Sequence, residues 1–370
     1  MPPISRNSAP NICCEVKDRK LWENNPAYTF FRPYIQWAFR TCYSKVSVIG
    51  SENIPDTAEV SVIIASNHCN TLMDALTILQ SRKDPTVFVA RADIFRNHHV
   101  AQFLHNLKIL PIYRHRDGAD SAERNLEIFD SLVECISRGT AFSIFPEGTH
   151  RARRSLLPLH KGVMEIARLA VESEPDRPVC IVPAGITYAD FFNLMRPVAI
   201  RFGKPLPITK DTDPDEMEAV LAQRMSELFV CFPDDERLEE NEKTYEDSIT
   251  PRYGPLHRIL AVFLLPVFVI TGLLCSPMLA ASAIIGRRLK DRAWINTVRF
   301  ASKLVLTPLM VAAAAIAGFI TMPWYRAAAL TVLTLYAHPI FYRILIFYKI
   351  LFKSCKQKTA KDEKPGSNPA

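Results

Sequence analysis

Two stretches near the end of the chain, Ile259–Gly286 and Leu304–Trp324, contain no Asp, Glu, Lys or Arg, and a third, Ala327–Phe352, is apolar and aromatic with Arg343 and Lys349 toward its end. Each is long enough to cross a bilayer, which takes about 20 apolar residues. Hydrocarbon offers the backbone no partners, so such runs must be helices. A buried all-helical subdomain is the alternative, and uncharged runs of this length are rare in water-soluble folds. Ile259–Gly286 is too short for two full spans of about 20 residues each. The loop that follows, "RRLKDRAWINTVRFASK", and the tail "KSCKQKTAKDEK" are basic, and basic loops stay cytoplasmic. The sequence therefore predicts a first segment that re-enters, bent near Pro266, Gly272 or Pro277. An outward span at Leu304–Pro323 and a return through Ala327–Phe347 follow, with Trp324–Arg326 as the outer turn.

Ahead of this region the pattern is different. β-branched runs at "VSVIIAS", "PTVFVA", "KILPIY", "TAFSIFP", "VCIVPAGI" and "PVAIRFG" alternate with helix-length segments. That alternation predicts an α/β fold, a mixed, mostly parallel sheet flanked by helices, joined to a C-terminal helical membrane region. The expected organisation is a frayed or disordered segment at 1–26, an amphipathic helix of interfacial character at 27–50 and the α/β domain at 51–208. A charged helix and linker at 209–255, membrane-embedded helices at 256–352 and a basic disordered tail at 353–370 complete it. The net charge of +7 suits an anionic partner, either lipid or a phosphorylated substrate, and no nucleic-acid module is recognisable. Nine cysteines without a CxxC pair argue against a zinc site or a disulfide framework and for a reducing compartment. The opening residues show no apolar core of the kind a secretory signal carries.

Four short elements carry candidate chemistry. "IIASNHCNTLMDAL" ends an apolar strand on Asn67-His68 and sets Asp74 on the next turn, where a carboxylate can fix the tautomer of the imidazole and leave its other nitrogen as a general base. No GxSxG elbow supplies a nucleophile, so a substrate hydroxyl would take that part. Taken alone, a structural histidine with an incidental aspartate is the better reading of this pair. "FSIFPEGTHRARR" follows a strand with Glu147, Gly148, Thr149 and then Arg151, Arg153 and Arg154, which could grip phosphate or form a solvated basic loop. "ILPIYRHRDG" delivers Arg114 from an apolar strand, and Pro183 and Gly185 of "IVPAGITY" should shape a loop after another.

The ordered set "NHCNTLMD", "LPIYR", "FPEGTHR" and "IVPAGI", from about Val60 to Ile208, resembles the four motifs of the glycerolipid acyltransferases, the glycerol-3-phosphate and lysophosphatidate acyltransferases. The resemblance implies His68 as catalytic base and Asp74 as its orienting partner. It implies substrate-binding roles for Arg114, Glu147, Gly148, Thr149, Arg151 and Pro183, with Arg91 of "FVARADIF" as a further anion contact. Two departures stand out. Five residues separate His68 from Asp74 where four are commonest, and His150 takes the place of an arginine in the third motif. The implied activity is a membrane-bound O-acyltransferase using acyl-CoA or acyl carrier protein as co-substrate, with no metal or other cofactor. Its acceptor would be glycerol 3-phosphate or lysophosphatidate, and its catalytic domain would face the cytoplasm. Another lysolipid or an aminolipid acceptor, or a non-catalytic lipid-binding role, are the alternatives.

Overall fold

The computed structural model describes residues 20–23, 25–114 and 120–362. Eight strands form one sheet: β1 (Val46–Ile49), β2 (Ser61–Ser66), β3 (Thr86–Arg91), β4 (Ile109–Ile112), β5 (Ala141–Ile144), β6 (Val179–Tyr188), β7 (Val198–Phe202) and β8 (Leu206–Ile208). Their spatial order is β1-β7-β6-β2-β5-β3-β4, with β8 paired to β6. β2, β3, β4, β5 and β6 run parallel, while β7 and β8 lie antiparallel to β6. The mixed, mostly parallel sheet flanked by helices is therefore as the sequence predicts.

The central strand β2 shows why the fold has two cores. Successive side chains point to opposite faces. Val62 and Ile64 join Phe39 of α1 (Pro26–Arg40) and Met73 of α2 (Leu72–Ser81). Ile63 and Ala65 join Leu132 of α4 (Ser121–Ser137), Ile166 of α5 (Gly162–Ser173) and Leu221 of α6 (Pro214–Leu228), with α3 (His98–Asn106) lying ahead of β4. Ile63 and Ile64 are both fully buried, a contribution of about 1.5–3 kcal/mol each.

Several boundaries differ from the sequence reading. The amphipathic helix stops at Arg40, and Val46–Ile49 pairs with β7 instead of extending it. α1 buries Ile35, Ala38 and Phe39 in the domain core and leaves Phe30 exposed, so it is a packed helix with an apolar outer edge. Residues 1–19 lie outside the described residues, but Leu21, within the segment expected to fray, is buried and its carbonyl accepts from Lys108 Nζ. Pro183 and Gly185 sit within β6, not in a loop. The proline is tolerated because β6 changes partner there. Ile181 pairs with Leu206 of β8, Ala184 pairs with Phe202 of β7, and no ladder donor is required between them.

After α7 (Leu238–Ile249) come α8 (Pro255–Leu274), α9 (Ser276–Gly286), α10 (Ile295–Thr321) and α11 (Trp324–Asp362). α8, α10 and α11 contain stretches long and apolar enough to cross a membrane, and α9 is a shorter apolar helix. The break in the first segment falls at Cys275, two residues before Pro277, while Pro266 stays inside α8. α8 packs on α11 and α9 on α10. α11 continues as helix through Asp362, past the expected start of a disordered tail at 353, with Lys353 paired to Asp247 at 2.7 Å. Residues 363–370 of that tail lie outside the described residues. The basic segment expected as a loop is docked on the α/β domain and partly helical. α10 begins within it at Ile295, and Asn296, Thr297 and Lys303 are buried against the α/β domain.

Candidate active site

His68, Glu147, Arg91 and Arg114 follow or occupy the carboxyl ends of four adjacent parallel strands, β2, β5, β3 and β4, the edge where open α/β sheets place ligands. His68 lies two residues beyond β2. Its Nδ1 is 2.8 Å from Asp74 Oδ2, and Asp74 is fully buried in the first turn of α2. The same carboxylate oxygen accepts the backbone N–H of Cys69 at 2.9 Å and of Asn70 at 2.7 Å. Two backbone donors therefore hold one carboxylate oxygen against one imidazole nitrogen. The fifth residue between His68 and Asp74 is accommodated where Thr71 turns through φ 50°, ψ −125°. The side chain of His68 is 18% exposed, and Nε2 has no hydrogen-bond partner among the described residues. The ring stacks on Phe145 with centroids 4.2 Å apart and planes 12° from parallel.

The main chain of His68 is held from both sides by the loop after β5. Its N–H donates to Glu147 Oε1 at 2.6 Å, and its carbonyl accepts from the N–H of Arg151 at 3.1 Å. Glu147 Oε2 accepts from Leu157 N at 3.0 Å. Burial pushes the Glu147 carboxyl up from its ordinary value, against the pull of the two N–H bonds and of His68. Gly148 turns at φ 62°, and a Cβ there would meet the His160 ring at 2.5 Å, so this position needs glycine on two grounds. Thr149 is exposed on the same loop. Cys69, beside His68, is no rival nucleophile. It is buried, and burial followed by the Asp74 charge pushes its thiol well above the ordinary range.

The candidate anion contacts are engaged to different degrees. Arg91 binds Asp93 through Nε at 3.2 Å and through a terminal nitrogen, and Arg114 approaches the same Asp93 at 3.5 Å. The strand order places Arg91 and Arg114 about 10 and 14 Å across the sheet from the strand of His68. Arg151 donates to Ser155 at 2.6 Å and to Asp234 at 2.7 Å. Arg153 and Arg154 are structural. Arg153 pairs with Glu239 and Glu242, and buried Arg154 with Glu246 and the carbonyl of Tyr188. Both hold α7 against the domain, and the acidic partners that occupy them lie too far along the chain for the basic run to reveal. Pro183 lines β6 beside Ala65 of β2, below the site.

One wall of the site comes from the segment that joins α9 to α10 and from the first turn of α10. His150 Nε2 is 2.8 Å from Asp291 Oδ2, and the His150 ring meets His68 edge-on at 5.5 Å and Trp294 at 5.6 Å. Burial pushes the His150 imidazole below its ordinary value, and the bond to Asp291 pulls it back. Thr71 Oγ1, on the loop between His68 and Asp74, is 2.6 Å from Thr297 Oγ1 of α10. Asn70 and Asn296 both donate to the carbonyl of Phe191, at 3.3 and 2.8 Å. None of Asp291, Trp294, Asn296 or Thr297 is marked by a motif. Among the described residues no cluster of His, Cys, Asp and Glu could hold a metal ion.

Residues 45–187 match the family model described as Acyltransferase. Two curated proteins of Saccharomyces cerevisiae are similar over short stretches. Glycerol-3-phosphate O-acyltransferase 2 is 29% identical over 112 residues, covering 28% of this chain and 15% of that protein. Glycerol-3-phosphate O-acyltransferase 1 is 32% identical over 84 residues, covering 23% and 11%. The chain thus matches only a small part of these relatives' length. Among solved structures, the 1-acyl-sn-glycerophosphate (LPA) acyltransferase PlsC from Thermotoga maritima aligns with a TM-score of 0.41 and 20% identity, over 61% of this chain and 81% of that one.

Proposed function

We propose, for a chain whose residues 45–187 match the Acyltransferase family model, that it is a glycerolipid acyltransferase, transferring a fatty acyl group from an acyl thioester to a hydroxyl of glycerol 3-phosphate or lysophosphatidate. The observation that carries the reading is the 2.8 Å contact between His68 Nδ1 and a fully buried Asp74, with Nε2 left open. In the proposed step Nε2 takes the proton of the acceptor hydroxyl as its oxygen attacks the thioester carbonyl. The resulting imidazolium faces the Asp74 carboxylate, which stabilises it. Collapse of the tetrahedral intermediate expels the thiolate, His68 returns the proton to sulfur, and the products are an ester and a free thiol. The donor is acyl-CoA or acyl carrier protein, and neither metal nor redox chemistry is needed for the step.

The acceptor phosphate is proposed to bind toward Arg91 and Arg114, competing for the guanidinium groups that Asp93 now engages. Glu147, Gly148, Thr149 and Arg151 form the loop that fixes His68 and borders the acceptor, and Pro183 belongs to the strand beneath the acyl-donor side. The domain is proposed to face the cytoplasm, where acyl thioesters are found. The test is transfer from labelled acyl-CoA and acyl carrier protein to a panel of acceptors by purified full-length protein. His68→Ala should lower kcat about 10²–10⁴-fold. Undiminished turnover in that variant, or no transfer to any acceptor by the wild type, would remove the proposal.

A further inference from the structure

Between α8, α11 and the loop at 189–197 lies a crevice of about 620 Å³, within the range of about 300–1,000 Å³ usual for small-molecule sites. Leu264, Ile346 and Phe347 give it apolar walls, and Arg196, Arg343 and Tyr253 give it a polar side. No carboxylate is among its lining residues. Arg196 is only 8% exposed, yet neither it nor Arg343 has a hydrogen bond or ion pair with any described residue. Arg154, comparably buried, shows what this protein otherwise supplies to such a group: Glu246 at 3.0 Å and a carbonyl at 3.2 Å. The guanidinium nitrogens of Arg196 are not among the fully buried unpartnered atoms, so they open into the crevice, where an anionic ligand would supply the charge-assisted bonds that Glu246 supplies to Arg154.

We propose that this crevice binds an anionic glycerophospholipid, with the phosphate at Arg196 and Arg343 and the upper acyl chain along Leu264, Ile346 and Phe347. The choice of a lipid over a free anion rests on continuity with the apolar helices. Leu264 belongs to α8, whose neighbouring Val262 and Phe263 are 70% and 74% exposed on a helix long enough to cross a bilayer. A ligand entering here does so from the membrane side, with its charge already at headgroup level. The site goes beyond the proposed acyl transfer and does not depend on it. The loop that carries Arg196 also carries Phe191, whose carbonyl holds Asn70 and Asn296 beside the candidate active site. The bound lipid therefore steadies that loop.

The experiment is native mass spectrometry of the full-length protein in detergent, offered equal amounts of phosphatidylcholine and phosphatidylglycerol. Phosphatidylglycerol is neither acceptor nor product of the proposed reaction. Wild-type protein should retain it in preference to phosphatidylcholine. Arg196→Gln should weaken retention about ten-fold, the low end of what a charge-assisted hydrogen bond contributes when lost. Arg343→Gln alters an exposed position that the fold tolerates, and should weaken retention in the same direction, so the proposal stays decidable if Arg196→Gln fails to fold. His68→Ala should retain lipid as the wild type does. Equal retention of both lipids, unchanged retention in Arg343→Gln, or loss of retention in His68→Ala would overturn the proposal. So would stabilisation by inorganic phosphate alone equal to that by phosphatidylglycerol in a thermal melt.

Discussion

Because both main-chain groups of His68 are tied to the 147–151 loop, the Glu147 carboxylate acts here as a clamp on His68. Glu147→Gln keeps one oxygen acceptor but turns an N–H toward a second N–H. One buried donor loses its partner, at a cost of about 1–3 kcal/mol. The expected outcome is a lower melting temperature and a reduced kcat, and a variant with wild-type values of both would show that the clamp is dispensable. A second residue-scale expectation concerns the anion contacts. Arg114→Ala should raise KM for a phosphorylated acceptor more than KM for the acyl donor, because alanine cannot grip phosphate. An equal rise for both substrates would move Arg114 out of the acceptor site. At this scale much was legible. A histidine just beyond an apolar strand and an aspartate in the first turn of the next helix are local neighbours, so spacing alone brings them within reach. The engagement of Arg114 by Asp93 and of Arg151 by Asp234 was not legible, since it depends on segments meeting across the fold, whereas Arg91 and Asp93 are two residues apart.

Among elements, the segment entering α10 is the one whose role the sequence hid. Its arginines and lysines read as a basic cytoplasmic loop, and within it Asp291 holds His150, Thr297 meets Thr71, and Lys303 Nζ caps the end of α1 through the Ala38 carbonyl at 2.9 Å and Thr41 Oγ1. Nothing local signals such contacts, because the partners lie well over a hundred residues away. The His150–Asp291 pair makes a pH prediction. The groups that bear on His150 are Asp291, His68 and Asp74. The folded imidazole sits below its ordinary value near 6.5, so as pH falls through that value the unfolded chain binds the proton first and stability is lost. Above that value this contribution is constant. Asp291→Ala removes a contact that raises the His150 value, widening the gap between folded and unfolded states. Its melting temperature should fall more steeply than the wild type's between about pH 7 and pH 5.5. Parallel wild-type and variant curves would dissociate Asp291 from His150 titration.

Taken as a whole molecule, the chain has both ends of the α8–α9 pair on one side. α7, just ahead of α8, is tied to Arg153 and Arg154, and Asp291, just after α9, is tied to His150. A first segment that re-enters satisfies both ties, and three full spans would carry Asp291 to the far side. A thiol at Asn296 would be a poor reporter, because that residue is fully buried against the domain. Arg288, exposed in the same connection, is suitable. In an otherwise cysteine-free protein, Arg288→Cys should react with an impermeant reagent only after the membrane is opened, and labelling in intact cells would rule the re-entrant path out. The contact between Thr71 and Thr297 also sets a height. From Thr297 to the first residue of the uncharged run, Leu304, is about 10 Å of helix, little more than the thickness of one headgroup layer. A monoacyl acceptor would therefore keep its tail dissolved in hydrocarbon while its hydroxyl reaches the imidazole. If the proposed acyl transfer holds, the acceptor would be met by lateral diffusion in two dimensions, so turnover should follow the surface density of acceptor in a vesicle and not the bulk concentration of the suspension.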